Sequence, residues 1–129
     1  MAQPAKPAPP PALVLAIEQF NSGDYFQCHE TLEALWRGGD GPELSMYQGI
    51  IQIAAGLHHA KNGNRHGALA LLERGLGNLR NHGPPSHCVD VAGLMTHAHR
   101  WHELVSAAAD GLPGLPWEQA PMIRKADMQ

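Results

Sequence analysis

The chain lacks the features that would tie it to a membrane, to nucleic acid or to a cross-linked scaffold. No apolar run approaches the roughly 20 residues needed to span a bilayer, so no membrane partner is expected. Nine Lys and Arg stand against twelve Asp and Glu, a formal charge of −3. No basic footprint offsets that charge, which argues against nucleic acid as a partner. Only two cysteines occur, Cys28 and Cys88, and they read as reduced, buried thiols rather than a disulfide or a redox pair. No CxxC or HExxH pattern is present, and no segment shows the two-residue alternation of a half-buried strand. The opening "MAQPAKPAPPPALV" has one Lys but no apolar signal core, so export is not expected and a cytoplasmic location is.

What remains is helical patterning. At 129 residues the chain has room for one domain whose core needs no metal or disulfide to hold it. Residues 1–11 are rich in Pro and Ala and are expected to stay disordered. Residues 12–112 read as the helical bundle, and residues 113–129 as a Pro-punctuated tail that packs partly on it through Trp117, Met122 and Ile123. Helices are expected from about Ala12 to Asn21, Tyr25 to Arg37, Pro42 to Asn62, after Asn64 to Asn81, and Val89 to Asp110. Gly23 and Gly63 supply left-handed ends, while Asp24 and Asn64 stand where caps belong. Pro42 suits a first helical turn. Gly23, Tyr25, Cys28, Leu32 and Leu35 recur forty positions later as Gly63, Arg65, Ala68, Leu72 and Gly75, the spacing of a tetratricopeptide-like helix pair. The fold class is therefore all-α, a compact bundle of about five helices built from such pairs.

The second helix poses the chemical question. Its apolar stripe runs through Tyr25, Cys28, Leu32, Leu35 and Trp36, yet His29 lies in that stripe with Glu33 about 40° away. Glu30, about 100° from His29, is expected nearer to solvent. The third helix is apolar through Met46, Ile50, Ile53 and Leu57. Its other side carries Leu44, Gln48, Gln52, Ala55 and His59, with the small residues Gly49, Ala54 and Gly56 permitting close approach. If the two polar edges meet, His29, Glu33, Gln48, Gln52 and His59 share one cavity and each finds a partner. His97, His99 and His102 form no comparable set, because His97 points roughly 140° from His102 on a helix.

The stretches "FNSGDYFQCHETLEALWR" and "YQGIIQIAAGLHHAKNGNRHGALALLERGLGNL" together resemble domain-of-unknown-function family number 309, small helical proteins of bacteria and plastids. The likeness runs from about Ala16 to Leu79. The first motif falls on Phe20, Asn21, Gly23, Tyr25, His29, Glu30, Glu33, Trp36 and Arg37. The second falls on Gln48, Gly49, Gln52, Ala54, His59, Gly63, Asn64, Ala68 and Leu72, while His58 stands where an aromatic such as Tyr is common. The resemblance implies a fold and a site on these residues, and no known activity.

Three roles suit the cluster. It can be a hydrogen-bonded network that fixes helix register, or a pocket for a small molecule or a protein partner. It can also be a catalytic centre, with His29 and Glu33 as an oriented base or His29, Glu33 and His59 holding a metal. The residues favour the first two: a structural or binding module, with His29, Glu30, Glu33, Trp36, Arg37, Gln48, Gln52 and His59 as binding residues. No metal ligand set and no cofactor are expected, and the chain is expected to act as a monomer or small homo-oligomer.

Overall fold

The computed structural model describes residues 9–39, 41–82, 89–108 and 111–125. Most of the expected N-terminal tail, and Cys88, lie outside them. Two turns built alike organise the first four helices. Gly23 has φ +82° and Gly63 φ +79°. In the first turn the Gly23 and Asp24 amides donate to the Phe20 and Gln19 carbonyls at 3.0 and 2.8 Å. In the second, Gly63 and Asn64 donate to Ala60 and His59 at 3.1 and 2.8 Å. This is the double closure of a Schellman motif, which satisfies the last carbonyls of one helix and reverses the chain. The repeat read from sequence is thus a repeat of turn chemistry.

Among the described residues there are five α-helices: α1 Pro11–Asn21, α2 Tyr25–Gly38, α3 Leu44–Lys61, α4 Arg65–Arg80 and α5 Val91–Ala107. No strand accompanies them, and Val89 and Lys125 form one isolated antiparallel bridge. The fold is all-α, as the periodicity predicts. Among these residues no helix is long and apolar enough to cross a membrane.

The ends depart from expectation in four places. Pro11, assigned to the tail, is the first residue of α1, where its missing N–H costs nothing. Pro42 lies instead in a turn before α3, behind Gly41 at φ +91°, with Leu44 N–H donating to Gly41 O at 3.4 Å. Asp24 makes no side-chain cap to α2; its ψ of 62° falls short of the 85° and 84° at which Asn64 and Asp90 cap their helices. Asn64 does cap α4, its Oδ1 accepting from Gly67 N–H at 3.0 Å. Finally, α5 begins at Val91 because Asp90 Oδ1 accepts from Gly93 N–H at 2.9 Å.

α3 occupies the centre, between α2 and α4, and Met46, Ile50, Ile53, Ala54, Leu57 and Ala60 are all fully buried on it. Its contact with α4 is the closest in the bundle. A Cβ placed on Gly49 would stand 2.8 Å from the Leu79 side chain, and one on Gly75 would stand 2.8 Å from the Gly49 carbonyl oxygen. At Gly56 the nearest atoms, from Leu72 and Ala68, would be 3.1–3.2 Å away. Three glycines thus let backbone meet backbone.

The C-terminal segment is a strap across one end of the array. Trp117 packs on Trp101 of α5 with ring centroids 4.7 Å apart, and its indole N–H donates to Leu112 O at 3.0 Å. Further on, the Asn21 amide clamps Ile123: Asn21 Nδ2 donates to the Ile123 carbonyl at 2.9 Å, and Ile123 N–H donates to Asn21 Oδ1 at 2.7 Å. Ile123 is buried, but Met122, expected to pack, is 39% exposed, because adjacent residues of an extended strap face opposite ways.

The glycine contact yields a paired prediction. Gly75→Ala should destabilise the protein by about 1–3 kcal/mol through overpacking. Gly77→Ala, two residues along α4 with nothing within 4 Å of its added Cβ, should stabilise it by about 1 kcal/mol through helix propensity. Urea denaturation of the two variants checks both signs.

Candidate functional site

α2 divides sharply between an inner and an outer face. Tyr25, Cys28 and Leu32 are buried against α1 and α3. One step around the helix, His29 and Glu33 sit at the boundary, their side chains 30% and 27% exposed, and His29 Nε2 lies 3.5 Å from Glu33 Oε2. The other carboxylate oxygen, Oε1, accepts from Arg37 at 2.5 Å. Glu30 is exposed, as its angle predicts. One ligand atom from each of His29, Glu30 and Glu33 falls within 4.8 Å of the other two.

Among the described residues no hydrogen bond joins His29 or Glu33 to the amide side of α3, and His29 Nδ1 is buried without a partner. Gln48, Gln52, Ala55 and His59 are half-buried, and the polar ends of Gln52 and His59 have partners away from α2. Gln52 Oε1 accepts from Asn78 of α4 at 2.6 Å, and His59 Nδ1 pairs with Asn64 Nδ2 at 3.2 Å. Trp36 is half-buried against the core. The expected set therefore separates into a His29–Glu30–Glu33–Arg37 group on α2, a Gln52–Asn78 bridge and a His59–Asn64 pair. The physical reason is the close α3–α4 contact, which gives Gln52 a partner on α4, while the turn that ends α3 brings Asn64 to His59. The proposed ligand set of His29, Glu33 and His59 is likewise not brought together; Glu30 takes the third place.

Two residues that contact these groups, Phe26 beside His29 and Asn78 beside Gln52, were not among the expected site residues. Phe26 is 50% exposed, stacks on His29 with an interplanar angle of 17° and centroids 6.4 Å apart, and approaches His58 of α3 at 5.7 Å. Its i,i+3 spacing from His29 is the signal that could have found it. Asn78 carried no local signal, since its partner Gln52 is 26 residues away. In the histidine cluster of α5, His102 pairs with Glu73 of α4 at 3.1 Å.

Behind the site, burial pushes the Cys28 thiol from its ordinary 9.0 to about 12. Burial, and then the proximity of Cys28, raises the Tyr25 hydroxyl from 10.0 to about 12. Both groups sit in the core as neutral side chains, and the charged chemistry of α2 is confined to its outer face.

Residues 13–71, which build α1, α2, α3 and the first part of α4, match the family model described as "Domain of unknown function (DUF309)". The resemblance read from the two sequence motifs is thereby borne out. The chain is 32% identical over 63 residues to an "Uncharacterized protein" of Aquifex aeolicus, across 48% of this chain and 19% of that one. It is 37% identical over 57 residues to "Uncharacterized protein YpuF" of Bacillus subtilis, across 43% of this chain and 33% of that one. The aligned part spans a third or less of either relative's length.

The two raised pKa values set a pH dependence. The folded state holds both protons more tightly than the unfolded one, so this stabilisation is fully present below the unfolded values of 9.0 and 10.0 and is lost as pH rises toward about 12. Stability measured by urea denaturation should fall across that window. The fall should be shallower in Cys28→Ala, which removes one of the two protons.

Proposed function

Taking residues 13–71 as a segment of this family, we propose that the helical array is a divalent-cation-binding module, with His29, Glu30 and Glu33 as ligands on the outer face of α2. The observation that carries this reading is the convergence of one imidazole and two carboxylates within 4.8 Å. With metal–ligand bonds of about 2.1 Å, two ligands of a tetrahedral ion lie about 3.4 Å apart, close to the 3.5 Å between His29 Nε2 and Glu33 Oε2. Glu30 is exposed, so its side chain is free to rotate inward. A mixed nitrogen and oxygen set of this kind suits Zn²⁺, Mn²⁺ or Fe²⁺ better than a hard-ion site made of oxygen alone.

Arg37 supports this assignment. It holds Glu33 Oε1 and leaves Oε2 turned to His29, the arrangement by which an outer partner orients a ligating carboxylate. Phe26 covers one flank of the imidazole ring and limits its rotation. Three protein ligands leave coordination positions for water or a small ligand, so the binding module and the metal-assisted enzyme share one site and differ in what occupies those positions. A purely structural role for His29 is less well supported, because its ring is partly exposed and its Nδ1 has no partner.

The test is a titration of untagged, chelator-stripped protein with Zn²⁺ and with Mn²⁺, followed by calorimetry and by thermal unfolding. One ion should bind per chain and stabilise the fold by about 2.7 kcal/mol at a hundredfold excess over Kd. His29→Ala should unfold within about 1 kcal/mol of the parent without metal, since it breaks no buried hydrogen bond. Both it and Glu33→Gln should bind the ion at least about tenfold more weakly. Binding unchanged in His29→Ala would assign the metal to other histidines and remove this reading.

A further inference from the structure

Away from the α2 face, the strap and the first turn flank a partly open cavity of about 280 Å³, lined by Gly23, Tyr25, Lys61, Trp117, Glu118 and Met122 among others. Lys61, the last residue of α3, is exposed and reaches over this cavity. Its Nζ donates to the Gly23 carbonyl at 3.3 Å and lies 5.3 Å from the centroid of Tyr25 and 5.6 Å from that of Trp117. Two ring faces and one carbonyl thus hold a single cation in place by the attraction of π-electrons for an ammonium. A Cβ at Gly23 would stand 3.1 Å from that nitrogen, so the residue that makes the turn also leaves room for the lysine.

We propose that this cavity is a binding site for a small organic monoanion, its carboxylate paired with Lys61 and its apolar body resting on Trp117 and Met122. An ammonium has three N–H donors, and Gly23 takes one of them. Pairing with a charged acceptor gives the stronger kind of hydrogen bond, and the Gly23 carbonyl and the two rings keep the ammonium at the cavity's edge. The volume lies just below the roughly 300 Å³ where pockets for drug-sized molecules begin, which sets the ligand's size. The exposed 39% of Met122 and the half-buried Trp117 supply an apolar wall beside the cation. Glu118 on the same lining offsets the charge of Lys61, so discrimination falls to the apolar wall, which the body of an organic carboxylate can cover and phosphate cannot. Monocarboxylates are therefore favoured over phosphate.

The site is tested on ¹⁵N-labelled protein by titration with sodium benzoate and, separately, with inorganic phosphate near neutral pH. The indole N–H resonance of Trp117 and the amide resonance of Gly23 are the readouts. Benzoate should shift both saturably in the millimolar range or below, and phosphate should bind at least about tenfold more weakly. Lys61→Gln should weaken benzoate at least tenfold, while Lys61→Arg, which keeps the charge, should retain it. Should Lys61→Gln fail to fold, the titration of the parent and of Lys61→Arg still decides. No saturable shift with benzoate, an equal affinity for phosphate, or undiminished binding in folded Lys61→Gln would each overturn the proposal.

Discussion

The backbone approach of α3 to α4 constrains most of what surrounds it. Gly49, Gly56 and Gly75 remove the side chains that would hold two helices at ordinary separation. The ridges of one helix then lie directly on the grooves of the other. With the pair so close, Gln52 and Asn78 meet at 2.6 Å, and Leu72 and Leu79 are sealed into the core. Gln52 is consequently committed to α4. α2 meets α3 through its apolar face and through the Phe26–His58 contact, and its His29 and Glu33 pair with each other on the outside.

That division gives α2 its character. Cys28 and His29 are neighbours in sequence, yet one is a fully buried neutral thiol and the other a partly exposed imidazole beside two carboxylates. A helix achieves this with a rotation of about 100° per residue. The forty-residue repeat places Glu73 of α4 where Glu33 stands on α2, and Glu73 also meets a histidine, His102, supplied by α5. The counterparts of His29 and Glu30 are Leu69 and Ala70, so a ligand set can form on one copy only. The two helix pairs share the turn and the packing positions but differ in their outer chemistry.

The fold was legible because its signals are local. Left-handed glycines at 23 and 63 and the apolar periodicity between them define helices without reference to anything distant. The cap at Asp24 and the start of α3 at Pro42 were misread because each has two local solutions of similar energy, and the surroundings choose between them. The site was legible as a set of residues but not as a set of contacts. His29, Glu30, Glu33 and Arg37 lie within nine positions on one helix, so their grouping follows from helical geometry. The partners of Gln52 and His59 depend on interhelix distance and on a loop side chain, which no periodicity reports. Phe26 was passed over because it lies outside the apolar stripe, although that is where a side chain flanking an exposed imidazole must be.

The clamp between Asn21 and Ile123 joins positions 102 residues apart, and so fastens the first helix to the strap that follows the last. Arrays of helix pairs in which each element touches only its neighbours come apart from their ends, one unit at a time. Here α1 and the strap hold each other, so neither can detach without breaking the same two hydrogen bonds. The clamp makes an otherwise linear array behave as a ring in its cooperativity. Because the contact closes so long a loop, it carries a large entropic cost of formation and belongs to the late stages of folding, after the two hairpins have assembled.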